Sequence, residues 1–193
     1  MPEVFQFPVK FLINGAPKTL DSEYTVLNYK GSAYVPIRFI AESLLSKVYY
    51  TEEQERIISI NAPFMELPQE YPRELARLNG DIVYVSQKLA YNEEQLANFI
   101  KNVKANVKDW IRIVRYTPEG DPIIQTVSYD SGKFKYVVDA TRDKFGGDPV
   151  RESACSSLES SHDVLGDIPY TEFSLQGCGE QKRTVSLYRL FEK

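Results

Sequence analysis

The sequence predicts an α+β protein of two small domains, each an antiparallel sheet packed on one main helix. Three observations carry that expectation. Segments 37–45 and 92–107 place apolar residues at the three-and-four spacing of a helix with one buried face, while short β-branched and aromatic runs flank both. Asn-Gly, Lys-Gly and Asp-Ser-Gly turns separate those runs. Pro63, Pro68 and Pro72 then interrupt both periodicities, which divides the chain into residues 1–62, a short stiff Pro-rich linker at 63–72, and residues 73–193. A chain of 193 residues with 42% apolar and 12% aromatic content can bury a core in each part.

In the first part, residues 4–13 have strand composition and end at Asn14-Gly15, a strong hairpin signal. Lys18 to Leu20 and Tyr24 to Tyr29 follow as short strands, and Lys30-Gly31 turns toward the helix. Pro36 suits the first helical position, where its missing N–H costs nothing, and Ile37, Ile40, Ala41, Leu44 and Leu45 form the expected buried stripe. Two closing strands, Lys47 to Tyr50 and Arg56 to Ile60, flank the charged turn Thr51 to Glu55.

The Asn-Gly and Lys-Gly turns, the core Val35-Pro36-x-Arg38 with Ala41-Glu42, and the short strand, acidic turn and closing strand after it resemble the copper amine oxidase N-terminal-like domain. That domain is the stalk module of many Gram-positive surface proteins. The likeness covers about residues 5–61 and implies a small antiparallel sheet wrapped around one helix, used as a spacer or binding module. It does not imply copper. In that enzyme family the metal and the quinone cofactor belong to a separate catalytic domain, and a site needing several imidazoles cannot be built from His162 alone. No cofactor is expected.

Composition narrows the function classes. A formal charge of −4 supplies no basic field for phosphate backbones, so no nucleic-acid partner is expected. No apolar run is long enough for a membrane span. No repeat or low-complexity tract is evident. The chain opens at Met1-Pro2-Glu3 without a signal-peptide pattern, which reads as a cytosolic start or as a chain whose signal peptide or lipid-anchor segment lies outside it.

Cys155 and Cys178 bear on that choice. They lie in Ser153-Ala-Cys-Ser-Ser and Gln176-Gly-Cys-Gly, polar surroundings unlike a core, where a bridge is the favoured reading and two separate thiols the alternative. Closing a loop of about 24 residues would stabilise the fold by roughly 3 kcal/mol in the entropic model. A structural disulfide places the protein in an oxidising compartment, secreted or at the cell surface. Thiol catalysis is disfavoured, because no Cys-x-x-Cys pair exists and His162 sits in a Ser-rich stretch read as a loop.

The second part opens with a strand at Asp81 to Val85 after the Asn79-Gly80 turn. Asn92 is expected to cap a helix, with Gln95 as capping-box partner and Leu96, Phe99, Ile100, Val103 and Val107 as its stripe. Trp110 to Tyr116, Ile123 to Tyr129, Lys133 to Asp139, Tyr170 to Gln176 and Thr184 to Phe191 are expected to form one antiparallel sheet with that helix on one face. Asn79-Gly80-Asp81, the helix, Tyr116-Thr-Pro-Glu-Gly-Asp-Pro-Ile123, Arg142-Asp-Lys-Phe-Gly146 and the late cysteines resemble a domain of unknown function from Gram-positive extracytoplasmic proteins and lipoproteins, over about residues 72–180. That resemblance supplies no activity. It supports export and the disulfide.

The densest polar constellation is Arg112, Arg115, Glu119, Asp121, Asp139, Arg142, Asp143 and Asp148. Antiparallel strands could bring these together as a pocket for an anionic or zwitterionic ligand or a cation, since a guanidinium fork pairs well with carboxylate or phosphate. The competing reading is structural: Pro-Glu-Gly-Asp-Pro is turn chemistry, and the arginines serve as solvated strand positions or ion-pair partners. The spacing of Asp139, Asp143 and Asp148 lacks the ligand alternation of an EF-hand, so no metal site is assigned. No catalytic residue is assigned either. The 13 tyrosines suit a protein or glycan contact face, or half-buried strand positions. The expectation is a noncatalytic extracytoplasmic protein in which a stalk positions a binding module for an unknown protein or cell-wall ligand. The alternatives are a hydrolase or metal-dependent site centred on Glu119, Asp121 and Asp143, and an inhibitor or regulator presenting the Thr117 to Pro122 loop.

Overall fold

The computed structural model describes residues 4–53, 55–85, 88–146 and 149–191. Gln54 of the expected Thr51 to Glu55 turn, Gly147 and Asp148 lie outside the described residues. The chain forms two compact units, Met1–Met65 and Glu66–Lys193. Strands take 49% of it and helices 13%, so the architecture is mostly β and the α+β expectation holds only coarsely.

The first unit contains β1 (Val4–Gln6), β2 (Phe11–Ile13), β3 (Ala16–Lys18), β4 (Leu27–Tyr29), β5 (Ser32–Tyr34), α1 (Ile37–Ser43), β6 (Lys47–Thr51) and β7 (Ile57–Asn61). It holds three small antiparallel sheets, β1-β4-β5, β2-β3 and β6-β7. Asn14-Gly15 joins β2 to β3 and Lys30-Gly31 joins β4 to β5, each with positive φ at both turn residues, the geometry whose twist suits a two-residue hairpin. Lys30-Gly31 therefore closes a hairpin instead of leading into the helix. The strand expected from 4 to 13 is broken in two, with Pro8 unable to donate to a ladder. The strand expected at Lys18 to Leu20 lies earlier, at Ala16–Lys18.

The buried stripe expected on α1 is also corrected. Pro36 precedes the helix as its cap, and the helix stops at Ser43 because Leu45 turns left-handed at φ 61°, with Ser46 N–H donating to the Ala41 carbonyl at 2.9 Å. The early stop takes Leu44 and Leu45 off the helical face, and both are exposed, as is Ile37. The residues that α1 buries are Phe39 and Ala41, with the Phe39 ring 4.9 Å from that of Phe11.

The second unit contains α2 (Arg73–Leu78), β8 (Ile82–Val85), β9 (Lys88–Tyr91), α3 (Glu94–Lys104), β10 (Asp109–Tyr116), β11 (Pro122–Asp130), β12 (Lys133–Asp139), β13 (Val150–Cys155), β14 (Ser157–Leu165), β15 (Ile168–Cys178) and β16 (Arg183–Phe191). Its strands do not form one antiparallel sheet. A six-stranded sheet runs β13-β12-β11-β10-β8-β9, and a separate antiparallel sheet runs β14-β15-β16. β10 lies parallel to β8, because the β9 hairpin and α3 return the chain to the end where β8 began. A second helix, α2, joins α3, so this unit does not rest on one main helix.

Asn92 does not cap α3. It sits left-handed at φ 63°, and its side-chain amide donates to the Arg77 and Asp81 carbonyls at 2.9 and 2.8 Å, pinning the start of β8. Leu96 and Phe99 are buried on α3, whereas Val107 lies past the helix end and is exposed. Alternation on the strands divides two cores between the faces of the large sheet. One face places Ile82, Ile111, Ile113, Val127 and Tyr136 against α3 and against Leu175, Leu187 and Tyr188 of the small sheet. The other places Val83, Val114 and Ile124 with Ala76 of α2 and with Tyr71. Tyr71 and half-buried Leu67, within the 63–72 stretch expected as a connector, pack into this second core.

Candidate functional site

The polar residues singled out in the sequence go to three different places. Arg112 faces α2 from β10 and is withdrawn from water with Asp81: Arg112 Nε donates to Asp81 Oδ1 at 2.7 Å, and the Tyr71 hydroxyl donates to Asp81 Oδ2 at 2.6 Å. The Asn79 amide donates in turn to the Tyr71 hydroxyl, and the guanidinium lies over the Trp110 ring. Burial pushes the Asp81 carboxyl up to about 6 against the pull of Arg112 and the Tyr71 hydroxyl. Arg115 alternates to the opposite face, stacks 4.1 Å from the Tyr84 ring centroid and donates to the Leu187 carbonyl, holding the small sheet to the large one.

The remaining members gather at the sheet end where β10 turns into β11 and β12 leaves for β13. Asp139 accepts from the Thr141 amide and hydroxyl at 2.9 and 2.6 Å and pairs with Arg142 at 2.7 Å. Arg142 also donates to the Leu67 and Pro68 carbonyls at 2.8 and 3.0 Å. Asp121 accepts from the Lys144 amide at 3.2 Å, which ties the two turns together, and Asp143 accepts from the Phe145 amide at 3.0 Å. Glu119 is exposed at the turn tip. The turn itself is closed by Thr117 N–H on the Asp121 carbonyl at 2.9 Å. These contacts hold chain segments in place. Among the described residues, no three His, Cys, Asp or Glu side chains group as a metal site.

The cysteines are joined as expected, with Sγ atoms 2.06 Å apart, but their surroundings are a core: Cys155 and Cys178 are 6% and 4% exposed. The bond connects the end of β13 to the end of β15. The intervening stretch is a regular hairpin, β14 and β15 about Gly166-Asp167, so His162 stands on an exposed strand and not in a loop.

That hairpin carries a polar and aromatic surface which the sequence did not single out. On the face of β14-β15-β16 turned away from the core, exposed Glu159, Ser161 and Asp163 lie beside Ser174, Glu172 and Tyr170, and these beside Ser186, Arg189 and Phe191, with Ser174 and Tyr170 themselves buried beneath their neighbours. Glu172 accepts from the Ser186 hydroxyl at 2.7 Å and from Arg189 Nε at 3.0 Å, which holds its carboxyl below the usual range. Arg189 lies over the Tyr170 ring, whose centroid is 5.4 Å from that of Phe191. An extra residue makes this possible: between Phe173 and Ser174 the register slips, and Leu187 and Tyr188 both turn inward to full burial. The signal available in the sequence was the alternation of Thr184, Ser186 and Arg189 with Val185 and Leu187, interrupted at that bulge.

Residues 79–165 match the family described as Domain of unknown function (DUF4362). The matched stretch runs from the turn before β8 to the tip of β14, so it takes in the large sheet, α3 and one strand of the small sheet. The same comparison gives residues 5–61 no copper amine oxidase-like domain. No curated protein and no solved structure matches the chain.

Proposed function

We propose that this is an extracytoplasmic, noncatalytic protein whose first unit serves as a stalk-like spacer and whose second unit binds a partner. The observation that carries the reading is the buried Cys155–Cys178 bond, fixed within the core where β13 and β15 end. A disulfide so enclosed acts as a structural brace, and such bonds persist where the surroundings are oxidising. No helix among the described residues is long and apolar enough to cross a membrane. The polar face of β14-β15-β16 supports the binding role, since Arg112, Arg115, Asp139 and Arg142 are engaged in holding the fold. The likeness of residues 5–61 to a stalk module supports the spacer role.

The test is fractionation of cells making the full gene product, with thiol alkylation before and after reduction. The expected result is protein outside the cytoplasm whose cysteines react only after a reductant is added. A cytosolic protein with two alkylatable thiols would overturn the reading.

A further inference from the structure

We propose that the free edge of β14 accepts an extended basic peptide segment as a fourth strand of the small sheet. The inference rests on the second unit being a binding module and names the class of partner. In the order β14-β15-β16, β14 is an outer strand nine residues long, with neither proline, lysine nor arginine in it, and every residue from Glu159 to Leu165 is exposed. Exposed edges normally carry proline or charged residues because their unpaired backbone groups template another strand, and the charges on this edge are acidic, Glu159 and Asp163.

The turn determines which backbone groups are free. Gly166 has φ 64° and the turn has two residues, so the flanking pair Leu165 and Ile168 exchanges hydrogen bonds and the pairing alternates from there. Ser161, Asp163 and Leu165 thus bond toward β15, while Ser160 and His162 present N–H and C=O, and Val164 its C=O, to the open side. The Val164 N–H agrees with this, being taken up at 2.8 Å by its neighbour's side chain, Asp163 Oδ1.

Charge decides the occupant. Glu159 and Asp163 project from the same face of β14, four residues apart, and neither forms an ion pair among the described residues. The nearby cation, Arg189, is engaged by Glu172. A second copy of β14 has no lysine or arginine to offer either carboxylate in any register, and a two-fold at Ser161 would set each Glu159 opposite the other copy's Asp163, where like charges destabilise a strand pair. A strand with lysine or arginine four residues apart meets both carboxylates with opposite charge. Added in this way, main-chain hydrogen bonds supply affinity and alternate side chains supply selectivity.

The experiment measures binding of a short labelled peptide of alternating lysine and valine to the purified full chain, beside a glutamate–valine peptide of the same length. The lysine peptide is expected to bind at least about tenfold more tightly. Ser160→Pro removes one outward N–H without touching the β15 ladder, and should abolish binding while leaving the thermal midpoint unchanged. N-methylation of the lysine peptide at alternate residues gives a readout independent of any variant: one methylation phase should bind and the other should not. The double variant E159K/D163K should reverse the preference. Equal binding of both peptides, or equal binding of both methylation phases, overturns the proposal. A concentration-dependent dimer lost in Ser160→Pro overturns it in favour of a second copy as the occupant. Failure of these assays leaves the compartment reading untouched, because that reading is decided by fractionation and alkylation.

Discussion

Arg112 Nε lies 2.7 Å from Asp81 Oδ1, with the two side chains 1% and 0% exposed, between β10 and the start of β8. The pair is possible because β8 and β10 run parallel, with Ile82 beside Ile113, which brings residues 31 apart in sequence to one point under α2. Removing either partner leaves the other charge buried. Arg112→Met is therefore expected to destabilise the second unit by about 3–5 kcal/mol, read from urea unfolding.

The same pair sets a pH dependence whose sign is unusual for a carboxylate. Burial raises the Asp81 carboxyl from 3.8 to about 6, so between those values the folded chain holds a proton that the unfolded chain has lost. Stability from this group is present below about pH 4 and falls as pH rises toward about 6. Unfolding free energies measured across that window should decline for the native chain relative to Asp81→Asn, which lacks the titration. A rise in that difference would show Asp81 ionised throughout.

Arg142 acts as a strap, joining Asp139 to the Leu67 and Pro68 carbonyls ahead of α2. Desolvation pushes the Asp139 carboxyl up, but the Thr141 and Arg142 hydrogen bonds outweigh it and hold the group below its ordinary value. Its contribution is thus present above about pH 4 and is lost as pH falls through the folded value. Arg142→Ala should cost about 1–3 kcal/mol and move the acid-unfolding midpoint to higher pH, whereas Arg142→Lys should recover only part.

How legible these features were depended on where the information lay. β10, β11 and β12 could be read directly, because strands such as Trp110-Ile-Arg-Ile-Val are apolar on both faces and are bounded by Thr117 to Asp121 and Asp130-Ser-Gly. β14 could not be read, since Ser157-Leu-Glu-Ser-Ser-His-Asp is polar on both faces and owes its strand state to pairing with β15. The six residues of α2 are too few to display a period. Arg112 and Arg115 looked equivalent in the sequence, yet strand alternation sends them to opposite faces with different partners. The α1 stripe misled because nothing in Leu44-Leu45 announces a left-handed stop without glycine.

Reducing the Cys155–Cys178 bond should lower stability by roughly 3 kcal/mol, given its sequence separation of 23. The sulfurs sit in the core that joins the large sheet to Leu175 and Leu187. Reduction under native conditions is therefore expected to be slow and to accelerate with mild denaturant. Thermal unfolding of a Cys155→Ala/Cys178→Ala chain with and without reductant should show one lowered midpoint that no longer responds to the reductant.

Gly177 and Gly166 offer a matched comparison of backbone strain with steric clash. Both are left-handed, at φ 62° and 64°, so alanine meets a similar conformational cost of roughly 1 kcal/mol at either site. At Gly166 an added Cβ would find nothing within 4 Å, whereas at Gly177 it would lie 2.4 Å from Ser156 Oγ. That hydroxyl donates to the Gln176 carbonyl at 3.0 Å, beside the disulfide, and is not free to swing away without losing its bond. Gly177→Ala should accordingly cost more than Gly166→Ala in chemical unfolding. Adding Ser156→Gly should remove the excess and leave the backbone cost. Equal losses for the two single variants would show that the Ser156 side chain yields freely.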